Sequence, residues 1–136
     1  MNDSIFGNLT FRHGWITHTE ITWGNALLSI KVKNKATEEQ PVTQFQRDVF
    51  SYFKANEKTV LTQVQNALAD FCKKNYDSTV TADNICNSTE PVTLLIFRLS
   101  HWGLLFKVKW ESEINLAVKF TDDWKIQECG VDDILL

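Results

Sequence analysis

Period-two patterning in the last third of the chain sets the tightest limit on what it can become. Leu104, Phe106, Val108 and Trp110 share one parity, with Leu105, Lys107 and Lys109 on the other. The pattern repeats with Ile114, Leu116, Val118 and Phe120 set against Asn115, Ala117 and Lys119. It repeats again with Trp124 and Ile126 set against Lys125 and Gln127. Alternation at every second residue is strand geometry, one face buried and the other in water. The runs are separated by Ser100-His101-Trp102-Gly103, Glu111-Ser112-Glu113 and Asp122-Asp123. Connections this short join antiparallel neighbours. Val92–Leu99, just before them, is apolar on both parities, as a central strand is. The C-terminal third therefore reads as a four-stranded meander.

The N-terminal third also reads as strands. Leu9 and Phe11 alternate with Asn8, Thr10 and Arg12; Trp15, Ile21 and Trp23 share a parity; Leu28, Ile30 and Val32 oppose Ser29, Lys31 and Lys33. Between the two strand regions the period changes. Phe45, Val49, Phe53, Val60, Val64, Leu68 and Phe71 recur at spacings of three, four or seven, which is one apolar helix face. Thr43 with Gln46 fits a capping box. A single helix to Lys74 would be unusually long, and a break at Ala55-Asn56, with Asn56 as a second cap, divides it into a hairpin or a kinked helix. The expected fold is one α+β domain over 1–136: an antiparallel sheet with helices on one face. Whether the N-terminal strands join the C-terminal sheet is left open by the pattern.

A chain of 136 residues with 43% hydrophobic content can bury one core without disulfides or metal. Cys72, Cys86 and Cys129 are scattered, with no Cys-x-x-Cys pair, which suits a reducing compartment. No apolar run is long enough to span a membrane, and Met1-Asn2-Asp3-Ser4-Ile5 lacks the charged and apolar regions of a leader, so a cytoplasmic location is expected. His13, His18 and His101 have no ligand-like neighbours. Phosphate-loop, nucleophile-elbow and dinucleotide signatures are missing. The acid pairs Glu111/Glu113, Asp122/Asp123 and Asp132/Asp133 read as solvated turn and loop residues. No cofactor and no metal are expected.

Charge supplies the candidate site. The net charge is −3 and only three arginines occur, which disfavours nucleic acid as a partner. Lys107, Lys109, Lys119 and Lys125 nevertheless share the outward parity, and Lys31 and Lys33 would join them in a continuous sheet. Such a face either stays solvated or docks an acidic partner protein. His101 and Trp102, at the turn, form a second candidate if they are displayed at a hairpin tip.

The C-terminal block resembles a family of small bacterial domains of uncharacterised function. The residues that carry this are Trp102-Gly103-Leu104-Leu105-Phe106, Trp110-Glu111-Ser112-Glu113, Leu116-Ala117-Val118-Lys119 and Gly130-Val131-Asp132-Asp133-Ile134, together with the helical stretch around Phe53 and Asn56-Glu57. Members of such families tend to occur in toxin–immunity settings. The resemblance implies a non-enzymatic immunity-type domain that binds and neutralises a partner toxin, and it brings no catalytic residues. The alternative is an unrecognised hydrolase, built around His101 and nearby turn acids, or a ligand-binding domain. The oligomeric state is not legible.

Overall fold

The chain opens with three two-residue strands, β1 (Asn2–Asp3), β2 (Gly7–Asn8) and β3 (Thr10–Phe11), in place of one continuous N-terminal strand. A computed structural model describes residues 1–135. Two long strands follow, β4 (Trp15–Trp23) and β5 (Ala26–Asn34), then helices α1 (Gln44–Ala55), α2 (Glu57–Asn75) and α3 (Ile85–Ser88). The chain closes with β6 (Thr89–Ile96), β7 (His101–Val108), β8 (Glu111–Thr121), β9 (Ile126–Val131) and a 3₁₀ turn, Asp132–Leu135. β1 and β2 pair by themselves, and the other seven strands form one sheet in sequence order from β3 to β9.

The expected meander is present as β6–β9. The expectation of a wholly antiparallel sheet needs correction: β5 and β6 run parallel, with Val32 opposite Leu94 and Asn34 opposite Ile96. That pair joins the two strand regions into one sheet. The helical segment between them supplies the long crossover that parallel neighbours require.

Local chemistry explains where the helices start and stop. The Thr43 hydroxyl accepts the Gln46 N–H at 3.1 Å while Gln46 Oε1 accepts the Thr43 N–H at 2.9 Å, completing the capping box. Gln46 is fully buried, and its Nε2 donates to Lys35 O (3.0 Å) and Ile96 O (3.2 Å). One polar side chain thus ties the start of α1 to the chain just past β5 and to the end of β6. The break falls at Asn56, as the apolar stripe predicts, but Asn56 does not cap α2 with its side chain. Its Nδ2 donates back to Tyr52 O at 3.0 Å and so closes α1.

The helical stripe of Val49, Phe53, Val60, Val64 and Leu68 packs with Ile30, Val32, Leu94, Ile96, Leu104, Phe106, Leu116, Val118 and Phe120 in one core. Each fully buried large side chain of this kind contributes about 1.5–3 kcal/mol. Trp124, also expected to face inward, packs here by stacking on Tyr52 at 4.7 Å. Trp110 does not. The register shifts after Lys107, the turn lies at Lys109-Trp110, and Glu111–Glu113 belongs to β8. Trp110 is left exposed beside Tyr76.

Candidate functional site

Register places residues in rows across the helix-free face. One row runs His18, Lys31, Thr93, Leu105, Ala117, Gly130, and the next runs Ile16, Lys33, Leu95, Gly103, Lys119, Glu128. The middle of both rows is apolar. Leu95 and Ala117 form a second small core with Leu135 from the C-terminal turn, joined by Phe97, Leu105 and Ile134. Gly103 makes room for it: a Cβ there would lie 2.7 Å from Leu135 Cδ2. The chain's end therefore seats itself on the sheet face opposite the helices.

This arrangement divides the lysines expected to share a face. Lys31, Lys33, Lys107 and Lys119 do lie on strands of the helix-free face, but Lys109 and Lys125 lie in the turns flanking β8. Lys33 and Lys119 are three strand spacings apart, roughly 14 Å. That exceeds the screening length of about 8 Å at physiological salt, so the two ends act separately.

The C-terminal lysines have acidic neighbours. Lys107 stands opposite Glu90 and Lys119 opposite Glu128, Lys109 shares a cleft with Glu90 and Glu111, and Lys125 Nζ lies 4.0 Å from Asp123. The other end is different. Arg12, His13, His18, Lys31 and Lys33 converge on a groove of about 470 Å³ whose floor includes Ile16 and whose lining holds no carboxylate. Among the described residues, no ion pair engages Lys31, Lys33 or Lys35, nor Lys107, Lys109 or Lys119; what differs between the two ends is the acidic residues that stand beside the latter three. Burial pushes the Lys33 ammonium below the usual lysine range, and the charges of Lys35 and Lys31 push it the same way.

The groove wall is held by a strained turn. His13 has φ 59° and Gly14 φ 147°, and a Cβ on Gly14 would come within 2.7 Å of Asn34 O and 3.2 Å of Lys33 Cε. Only glycine allows the turn to close on the Lys33 stem. Sequence parity did not single out Arg12, His13, His18 or Lys35. The alternation Lys31-Val32-Lys33-Asn34-Lys35 was a readable signal for the last of these, one step past the expected strand end.

The second candidate falls elsewhere than a displayed tip. His101 and Trp102 open strand β7, and the intervening turn is Arg98-Leu99-Ser100. Trp102 is fully buried, stacked on Phe120 at 4.1 Å, and its indole N–H has no acceptor among the described residues. The His101 ring stacks on Phe97 at 4.0 Å, with Ser100 Oγ 2.8 Å from Nδ1 and Leu135 O 3.4 Å from Nε2. Burial lowers its pKa, with Lys119 adding to the effect and the Leu135 carbonyl opposing it.

Burial pushes the Cys72 thiol up to about 11 and Cys129 up to about 12, away from the range of a nucleophilic thiolate. Among the described residues, no three His, Cys, Asp or Glu side chains are grouped to hold a metal ion. No described helix is long and apolar enough to cross a membrane.

No curated protein and no solved structure matches the chain. A family described as "Domain of unknown function (DUF6985)" matches residues 5–136, nearly the whole chain, and the protein belongs to that family.

Proposed function

We propose that the protein is a non-enzymatic protein-binding domain, of the immunity type that neutralises a partner toxin, and that an acidic surface of the partner docks at the basic end of the helix-free face. The observation that carries this reading is the segregation of charge. In a chain of net charge −3, three cations and two histidines line one groove whose lining, among the described residues, includes no carboxylate. A local field of one sign steers an oppositely charged partner whatever the net charge. Leaving like charges together without partners costs stability, so a fold that keeps them has a use for the field. A cytoplasmic setting agrees with three free thiols.

The test is affinity capture with the tagged protein at low salt and at about 0.5 M salt, where screening shortens to a few ångströms. A partner captured at low salt should be released at high salt. It should be lost with Lys31→Glu/Lys33→Glu and kept with Lys107→Glu/Lys119→Glu. Empty captures at both salts, or equal loss with both pairs of substitutions, would refute the proposal.

A further inference from the structure

The groove's Lys31 and Lys33, together with Lys35 just beyond it, are evenly spaced along the chain. Lys31 and Lys33 lie two residues apart on the helix-free face of β5, and Lys35 follows at the same interval just beyond the strand. Successive same-face positions on a strand repeat at about 6.7 Å. Lys35 Nζ lies over the Phe97 ring at 5.8 Å, on the helix-free face, and its charge acts on Lys33, so Lys35 continues the series of Lys31 and Lys33. Arg12, His13 and His18 line one side of the series. On the other side, Leu95 stands opposite Lys33 and begins the apolar strip.

We infer that the groove is the seat of an extended acidic peptide segment whose carboxylates fall at alternate residues, each meeting one rung of the Lys31, Lys33, Lys35 ladder. An extended chain has the same repeat as the strand beneath it, so a Glu-x-Glu-x-Glu segment lying along β5 stays in step with all three ammonium groups. Three contiguous glutamates cannot, because alternate side chains of an extended chain point to opposite sides. The Ile16 floor favours a peptide over a bare anion, since it offers apolar contact to the intervening atoms. This assignment rests on the protein-binding reading and names the chemistry of the partner's contact.

The experiment compares two synthetic peptides of equal charge in low salt, followed by amide chemical shifts of the full chain. One has three glutamates at alternate positions and the other has them contiguous. Three contiguous glutamates still place the first and third on one side and so meet two rungs, which leaves a difference of one exposed ion pair, about 0.2–1 kcal/mol or about 1.4- to 5-fold in affinity. The alternating peptide should bind about 1.4- to 5-fold tighter and shift Ile16, His18 and residues 31–35. Lys31→Gln/Lys35→Gln, which leaves the half-buried Lys33 in place, should remove the preference.

Equal binding of the two peptides, or the same shifts with inorganic phosphate at matched ionic strength, would overturn the assignment. If capture is still lost with Lys31→Glu/Lys33→Glu while the peptides bind alike, only the ladder match falls. If capture is indifferent to those substitutions, the protein-binding reading falls with it.

Discussion

Gly103→Ala distinguishes the packed C-terminal turn from ordinary strand behaviour by the sign of its effect. Glycine inside a strand is a liability of about 0.5–1 kcal/mol relative to alanine, so propensity alone predicts a more stable protein. The geometry opposes this. A Cβ at residue 103 would lie 2.6 Å from the backbone oxygen of Val118 and 2.7 Å and 3.0 Å from the Leu135 methyls. The methyls can rotate away, but the Val118 carbonyl is part of the strand paired with β7. Overpacking of this kind costs about 1–3 kcal/mol, which outweighs the propensity gain. The expected result is a loss of about 1–2 kcal/mol in urea denaturation at unchanged m-value. Leu135→Ala alone should cost about 2 kcal/mol, the low end for a buried leucine, because its cluster is small. In the double variant the methyl clash is gone and only the carbonyl remains, so the costs should fall short of additivity by at least about 0.5 kcal/mol. A Gly103→Ala protein as stable as the parent would refute the close approach of the Val118 carbonyl, and strict additivity with Leu135→Ala would refute the seating of the turn on β7.

Three further outcomes follow from single contacts. Asp3 accepts from Arg47 and from the amides of Ile5 and Phe6; burial tends to raise its pKa, but these bonds together hold it below the usual carboxylate value. Its contribution is therefore present above about pH 3.9 and lost as pH falls through the folded value, and Asp3→Asn should cost about 1 kcal/mol at pH 7 in chemical denaturation, shrinking towards zero in acid. Trp23 Nε1 donates to Thr89 O at 3.2 Å whereas Trp102 Nε1 has no acceptor among the described residues, so Trp23→Phe should cost about 1 kcal/mol more than Trp102→Phe beyond the shared loss of ring volume. With its thiol buried and pushed to about 11, Cys72 should resist an aromatic disulfide reagent at pH 8 in the folded protein and react promptly in denaturant; fast labelling of Cys72 in the native state would contradict its burial.

Elements set by neighbouring residues were legible in the sequence. The capping box at Thr43 and Gln46, the helix break at Asn56 and the β6–β9 meander each depend on residues a few positions apart. The parallel pairing of β5 with β6 does not. Its partners are separated by three helices, and nothing in the alternation of either strand encodes direction. Trp110 was misplaced for a related reason: strict parity carries it inward, but the register shift after Lys107 breaks the count. The outward apolar residues Leu95, Leu105 and Ala117 were visible as residues apolar on the wrong parity. Their cover, Leu135, comes from a 3₁₀ turn that has no periodic signature.

The site shows the same division between parity and register. Parity assigns a lysine to a face, and for Lys31, Lys33, Lys107 and Lys119 the face is shared. Register decides what stands beside each one, and it separates them. Lys107 and Lys119 meet Glu90 and Glu128 across neighbouring strands, whereas Lys31 and Lys33 meet His18 and Ile16 on one side and Thr93 and Leu95 on the other. The parallel pair that sequence patterning could not supply is what sets Thr93 and Leu95 of β6 against the lysines of β5, while Glu90, also on β6, falls opposite Lys107. Had β5 been an edge, its lysines would read as protection against unwanted strand pairing. In the third position of a seven-stranded sheet they protect no edge. That role falls instead to Lys54 and Glu57, which engage Glu20 O and Thr22 N–H on β4 at 3.0 Å and 3.4 Å. The interior position of lysines that form no ion pair among the described residues is what the proposed acidic partner would account for.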